Sequence, residues 1–357
     1  MAEWFAGHRG EKGQPVPAAP GRKSMTITLN RRHMLMAGAG ALAASFARPA
    51  QAAGEFPDKP IQVLIPTGEG GGVDQAARAF NRIWSKYLGA NFEYSYFPGA
   101  SGQVGYEVFV SKRPADAYNI LFGNIGPEMI MYATQKVKYK YPEDFTYIGS
   151  MDVDDSVIWV GSNSKFKTIQ ELVEEGKKRE ITLSTSRLPH PSTIGALALA
   201  EATGMKVRMI PYGGGGPARS AAITGEVDGC ATFLSSSLGL GDQARFLTVF
   251  NDTNRAPELT NNAPPVNQAL GTKIPQMSGQ RAIAIHIKAV EAYPDRVKKL
   301  SDSFKQVFAD PDYKAVAEKA GTPWEFIQYG DAASCQESAR EFVELADRYR
   351  SLLTATK

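Results

Sequence analysis

The sequence predicts an α/β protein of about two ordinary domains, built on mostly parallel sheets flanked by helices. Three observations carry that prediction. Short apolar runs alternate with longer segments whose apolar residues recur at steps of three and four, the rhythm of strand, helix, strand. Glycine-rich loops follow strands and open helices. With 43% hydrophobic and 22% charged residues in 357, the composition is globular and excludes wholesale disorder.

In order, Phe56-Pro57-Asp58-Lys59-Pro60 is a rigid entry and 61–65 a buried strand, stopped by Pro66. The loop 67–72 is glycine-rich. In the helix that follows, Val73, Ala76, Ala77, Phe80, Ile83, Trp84, Tyr87 and Leu88 share a face, and Gly89 ends it. Residues 92–97 read as a strand, 98–102 as a turn, 103–112 as a helix and 118–122 as a strand. Strands follow at 145–149 and 157–161, then a helix at 169–178, a strand at 181–184, and a small-residue helix at 193–203. A strand at 206–210 leads into a second glycine loop, 212–216, a helix at 218–224 and a strand at 229–233. A strand at 246–250 precedes a Pro/Asn-rich surface loop at 256–265, and 281–287 is a further strand. Val297, Leu300, Phe304, Val307 and Phe308 mark one amphipathic helix; Phe342, Leu345, Tyr349, Leu352 and Leu353 mark the last.

Charge and composition exclude several functions. Seven of the 40 basic residues and two of the 37 acids lie in residues 1–52, so the net +3 belongs to the leader and the remaining body carries −2. That body is no nucleic-acid binder on charge grounds. Beyond the leader only His190 and His286 remain, too few for a histidine-rich metal site, and no cofactor is expected. No apolar run reaches the ~20 residues of a membrane span. The first glycine loop lacks the Gly-Lys-Ser/Thr of a phosphate-binding loop, and a dinucleotide fingerprint starting at Gly68 and Gly70 would need glycine at Val73. No Gly-x-Ser-x-Gly, His-Glu-x-x-His or paired Cys-x-x-Cys occurs. Cys230 and Cys335 are expected to be free thiols, although export would permit a bridge.

The remaining chemistry is bare backbone. Glycine lets amides approach a ligand, and a helix N-terminus supplies unpaired N–H groups and partial positive charge. The loop 67–72 is therefore an anion cradle, and the loops 185–193 and 213–216 offer two more at the carboxyl ends of strands. Turn formation alone would also explain such glycines.

The leader reads as an export signal. Residues 1–24 are rich in Gly, Pro and charge, either disordered or an over-long start ahead of Met25. Asn30-Arg31-Arg32-His33-Met34-Leu35-Met36, a weakly apolar stretch and Ala50-Gln51-Ala52 then give an arginine pair, a short apolar region and a small-x-small end. The pair points to the twin-arginine route, with an ordinary Sec signal as the alternative, so the signal is placed at 25–52 and the product in the periplasm.

Several segments then match a known pattern. Phe56-Pro-Asp-Lys-Pro-Ile61 with Gly70-Gly71-Gly72-Val73-Asp74, Pro98-Gly99-Ala100-Ser101-Gly102-Gln103-Val104-Gly105, Phe145-Thr146-Tyr147-Ile148-Gly149, Pro211-Tyr212-Gly213-Gly214-Gly215-Gly216-Pro217-Ala218 and Gly225-Glu226-Val227-Asp228 occur in this order. From about residue 56 to the C-terminus the chain resembles the Bug-type, TctC-like substrate-binding proteins, the extracytoplasmic receptors of tripartite tricarboxylate transporters. The resemblance implies a type II-like periplasmic binding protein fold. Its two α/β domains, placed at 53–155 plus 281–357 and at 156–280, are joined by crossing strands, with the ligand in the cleft between them. It further implies a carboxylate held mainly by backbone amides, small hydroxyls and waters. Thr67, Gly68, Gly70, Gly71, Gly72 and Asp74 would form one jaw, with Asp74 fixing the loop rather than facing an anion. Thr185, Ser186, Arg187, His190 and Thr193 would form the other, with Tyr212 and Gly214 nearby; Ser101 and Asn124 complete the candidates.

Both jaws depart from the family. Thr67-Gly68-Glu69 stands where Phe-Pro-Pro or Phe-Ala-Pro is usual, Arg187 and Pro189 replace glycines, His190 replaces a serine, and Thr193 replaces the family histidine. Arg187 or His190 would therefore read the far end of a dicarboxylate, His190 more strongly when protonated; alternatively Arg187 points to solvent and steers anions. The expected function is a non-enzymatic, monomeric receptor delivering a di- or tricarboxylate, aliphatic or aromatic, to membrane permease subunits. A sensor feeding a receptor kinase and an exported hydrolase using His190 are the alternatives.

Overall fold

The computed structural model describes residues 55–355, so the leader and the export signal read at 25–52 lie outside the described residues. The first lobe begins with β1 (Ile61–Ile65), buried at all but Gln62. Helix α1 (Gly72–Leu88) turns Val73, Ala76, Phe80, Ile83 and Trp84 onto the sheet and stops at Gly89, whose φ of 76° suits glycine. Strand β2 (Phe92–Tyr96), helix α2 (Gln103–Lys112), strand β3 (Asn119–Asn124), helix α3 (Ile125–Thr134) and strand β4 (Phe145–Asp152) follow.

The chain then crosses at Val153 into β5 (Asp154–Gly161) of a second sheet. There follow α4 (Ile169–Lys178), β6 (Glu180–Thr185), α5 (Pro191–Thr203), β7 (Lys206–Pro211), α6 (Gly215–Thr224), β8 (Gly229–Phe233), β9 (Ala244–Val249) and the two-residue β10 (Ser278–Gly279). It returns at Gln280 to β11 (Arg281–His286), then α7 (Pro294–Gln306), α8 (Tyr313–Lys319), β12 (Ile327–Asp331), α9 (Ala332–Arg348) and α10 (Arg350–Ala355).

The sheet orders are β12-β4-β11-β3-β1-β2 and β10-β5-β8-β6-β7, with β9 also pairing β5. The expected α/β architecture is present, but neighbouring strands are mixed in direction. β1 is parallel to β2 and β3, and β6 to β7 and β8. Each sheet also contains the strand that directly follows a crossing between the lobes, β11 between β3 and β4 and β5 beside β8, and both insert antiparallel. A strand entering across the lobe boundary needs no crossover helix, so nothing forces it parallel to its neighbours.

Helices cover the faces of both sheets. In the first lobe Phe80 and Trp84 of α1 meet Phe304 of α7, ring centroids 4.6 and 5.6 Å apart, while α9 packs over α3 on the other face. In the second, Ala218, Ala221 and Ala222 of α6 pack beneath the sheet, and Ile194, Leu197 and Leu199 of α5 lie in the larger core. That core is continuous between the lobes because α3 and α5 approach closely. A Cβ on Gly126 would come within 3.0 Å of the Pro191 side chain and 3.2 Å of that of Phe342, so glycine allows this close approach. Cys230 and Cys335 are both buried and unbridged.

Candidate functional site

A cleft of about 740 Å³ opens where the strands of both lobes end and their helices begin. Two rims and a floor form it.

The first rim is the loop into α1. Gly70 adopts φ 73°, a glycine conformation, and its N–H donates to Asp74 Oδ2 at 2.8 Å. Asp74 is 2% exposed and lies behind the loop; its Oδ1 accepts from Arg78 Nε and Tyr96 Oη, each at 2.8 Å. The N-cap, Gly71, has no side chain to bond the first amides of α1, so those of Gly72 and Val73 open on the cleft. Thr67 Oγ1 is buried and has no hydrogen-bond partner in the protein.

The second rim joins the loop after β6 to the loop into α6. Unlike α1, helix α5 is already capped. His190 Nδ1 accepts from Ser192 N at 3.1 Å, and the His190 carbonyl accepts from Thr193 N and Ile194 N at 3.0 and 3.1 Å. The loop 185–193 is therefore not the amide cradle that its sequence suggested. His190 is 4% exposed, its ring lies 4.3 Å from that of Phe233, and burial holds its pKa well below the usual 6.5, with Arg187 adding to the effect. It is a neutral acceptor, not a protonated donor. Thr193 Oγ1 lies 3.2 Å from Thr185 Oγ1 and 3.3 Å from the Arg187 carbonyl, bracing the loop from behind.

Arg187 matches neither expectation for it. Its guanidinium reaches across to the first lobe, donating to the Ser101 carbonyl at 2.7 Å and lying 3.6 Å from Glu128 Oε1. Glu128 is fully buried on α3, its Oε2 accepting from Asn124 N and, at 3.2 Å, from Tyr106 Oη. Burial raises its pKa to about 7, against the pull of Arg187. Arg187 thus ties one lobe to the other.

The loop into α6 is open, like that of α1. Its N-cap, Gly214, has φ 147° and ψ 174° and no capping side chain. Arg219 of α6 reaches the cleft from just behind it. The floor is Arg281, at the crossing into β11. It is 5% exposed, its N–H donates to Asp152 Oδ1 at 2.8 Å, its guanidinium pairs with Asp152 and lies 3.4 Å from Asp154, and its Nε has no partner.

Of the residues singled out in the sequence, Thr67, Gly68, Gly70, Gly71, Gly72, Ser101, Asn124, Ser186, Arg187, His190, Tyr212 and Gly214 line this one cleft. Asp74, Thr185 and Thr193 do not; they hold the rims from behind. Sequence reasoning missed Arg219, Arg281 and Glu128. Arg219 carried a signal: a cation close behind a glycine-rich helix start sits at the unfavourable end of the dipole. Arg281 and Glu128 carried none, since their charged partners are distant in sequence. Among the described residues no group of three or more His, Cys, Asp or Glu is placed to hold a metal.

A family model described as "Tripartite tricarboxylate transporter family receptor" (TctC) matches residues 77–343. The chain belongs to this family. The receptor is 27% identical over 247 residues to a UPF0065 protein from the tcbD-tcbE intergenic region of Pseudomonas sp. (strain P51), a match covering 68% of this chain and 72% of the relative. It is 30% identical over 181 residues to a UPF0065 protein of Agrobacterium vitis, covering 50% of this chain and only about half, 52%, of that relative. Its fold is that of periplasmic binding protein BugD, with a TM-score of 0.71 at 20% identity over 83% of this chain and 98% of BugD. An R. palustris protein solved with adipate gives 0.70 at 19% identity, covering 85% of this chain and 98% of that one. The malate-bound MatC of Rhodopseudomonas palustris gives 0.67 at 17%, covering 82% and 100%. The family and these neighbours are solute-binding proteins, and the receptor is not an enzyme.

Proposed function

We propose that this receptor works in the periplasm as a monomer, captures an organic di- or tricarboxylate in the cleft, and delivers it to the permease subunits of a tripartite tricarboxylate-type transporter. One observation carries the reading. In a chain whose body is net acidic, the cleft is lined by Arg187, Arg219 and Arg281 against a single acid, Glu69, and two uncapped helix N-termini open into it. Glu69 is itself 3.6 Å from Arg78 at the mouth. Such a lining favours anions. The volume suits a small organic molecule rather than a peptide. A carboxylate ligand is also of the class found with the fold neighbours solved with adipate and malate.

We further read residues 53–155 plus 281–357 and residues 156–280 as the two bodies that close on the ligand, hinged at Val153 and Gln280. Arg187 is the contact that closure makes or breaks. Export by the twin-arginine signal at 25–52 would bring the folded receptor to its compartment.

The test is a thermal-shift and calorimetric screen of aliphatic, hydroxylated and aromatic di- and tricarboxylates. A true ligand at 100 times its Kd adds about 2.7 kcal/mol to stability. Binding of neutral or cationic solutes with no carboxylate hit would reject the reading. Delivery is read separately, as uptake of the identified ligand lost when the receptor gene is deleted.

A further inference from the structure

The charged groups lining the cleft can be accounted for one at a time. Glu69 reaches Arg78. Arg187 is committed to the Ser101 carbonyl and to Glu128. Arg281 is committed to Asp152, Asp154 and Ser235. Arg219 alone of these has no ion pair or hydrogen bond among the described residues, although it is only partly exposed.

Its position makes that isolation unfavourable. A helical side chain leans toward the N-terminus of its helix. The guanidinium accordingly folds back over the start of α6: Nη1 lies 3.0 Å from where a Cβ on Gly215 would stand, so glycine makes room for it. There it lies beside the first turn of α6, whose N-cap Gly214 has no capping side chain, at the end of the helix where a cation is repelled by the dipole. Burial also depresses its pKa; the Cys230 sulfur opposes that shift and no carboxylate does. A guanidinium and an open helix start, side by side on a cleft wall, repel each other until an anion sits between them.

An independent observation shows a second, unsatisfied polar region of the cleft, apart from Arg219. Thr67 Oγ1 and Arg281 Nε, both lining the cleft on the first-lobe side, are buried donors without partners. Arg281 is 95% buried by its 5% exposure, so only a ligand or solvent in the cleft can satisfy it.

We propose that Arg219 is a specificity-determining residue that reads a second anionic group on the ligand. One carboxylate would lie at the first rim against the start of α1, and the other would be gripped by the Arg219 fork and the amides opening α6. The ligand class is then a dianion whose two acidic groups face opposite rims. This rests on the carboxylate reading above and narrows it.

The experiment is calorimetry on the full-length receptor at fixed ionic strength, with succinate, adipate and terephthalate, each beside its half-amide. The wild type should prefer at least one diacid over its half-amide. Arg219→Gln should reduce that preference by about ten- to a hundredfold, the range for a lost hydrogen-bonded charge contact. Arg219→Lys, which keeps the charge without the fork, should lose less. Equal losses for diacid and half-amide, an unchanged preference, or equal losses in the Lys and Gln variants would overturn the assignment. The carboxylate reading is judged beforehand, on wild type alone, by the wider screen above: if that gives no carboxylate hit, the reading falls and the assignment with it, whereas a carboxylate hit with no diacid preferred over its half-amide overturns the assignment alone.

Discussion

The two rims of the cleft are built from different parts. The first is almost wholly backbone: glycines, an uncapped helix start, and Asp74 behind it holding Gly70 and Arg78. The second is dominated by side chains, with a capping histidine, an arginine tied across the cleft and, in Arg219, an arginine with no ion pair or hydrogen bond among the described residues. Backbone amides attract any carboxylate, because every carboxylate presents the same oxygens. Side chains of fixed reach discriminate by what lies beyond the first carboxylate. The first rim should therefore set affinity and the second selectivity, over a charged floor shared by both.

The largest expected effect comes from breaking that shared floor. Arg281→Met leaves Asp152, which is fully buried, without its cation. Stranding one partner of a buried pair costs about 3–5 kcal/mol. Urea unfolding should show that loss, and binding should fall for every ligand alike. A loss under about 1 kcal/mol, the scale of an exposed pair, would mean that the floor is not a dry ion-pair network.

The tie between the rims should be visible in pH. Glu128 has its pKa raised from 4.5 to about 7 by burial. Between those values the folded protein keeps a proton that the unfolded chain has released. The resulting stability is fully present below 4.5 and is lost as pH rises through about 7, on the order of 3 kcal/mol in all. Glu128→Gln should flatten that slope in urea titrations from pH 4 to 8. The ionised form above pH 7 is the one that pairs with Arg187, so the variant should also weaken closure most at alkaline pH. An unchanged slope in the variant would show that Glu128 keeps an ordinary carboxyl pKa.

The first rim is tested through its support. Asp74→Asn keeps the shape but removes the charge that accepts from Arg78, Tyr96 and Gly70. Lost charge-assisted bonds of this kind cost about 1.5–3 kcal/mol. Affinity should fall by similar factors for diacids and half-amides, because only the cradle is loosened. A change in their ratio would break the division between affinity and selectivity.

How legible these features were in the sequence follows the same division. Helices Gln103–Lys112 and Ile169–Lys178 and strand Gly229–Phe233 stand where the sequence places them; Ile169–Lys178 shows a clear apolar face, and the other two are bounded by glycine turns or charged stops. Helix α3 was missed because Ile125 to Met131 are all buried, so it lacks the polar face that gives a helix its period. Strand β12 was missed because it is short and half-exposed. The antiparallel insertion of β5 and β11 cannot be read from an apolar run, which has no direction. Backbone cradles were legible because glycine announces them. The commitments of Arg187 and Arg281 were not, since each ion pair is made to a residue 59 or more positions away: Glu128 lies on α3, and Asp152 and Asp154 lie at the opposite crossing.

The smallest effect concerns the cap that separates α5 from the two open helices. His190 Nδ1 accepts from Ser192 N, a role that an asparagine Oδ1 can fill. His190→Asn should thus retain the cap but lose the ring contact with Phe233, costing about 1 kcal/mol at pH 8. Acid should shrink that cost. The folded imidazole has its pKa held well below 6.5, so the unfolded chain takes up a proton that the native state refuses. Its contribution is fully present above pH 6.5 and is lost as pH falls below it, by roughly 1.4 kcal/mol per pH unit. By pH 5.5 wild type and His190→Asn should be nearly equal in stability. This slope opposes that of Glu128 in the same window, so the wild-type curve understates both and only the two variants separate them. Urea midpoints at pH 8 and 5.5 decide the matter. A gap that stays constant would mean that His190 is protonated in the fold, which would make it a charged member of the selective rim rather than a cap.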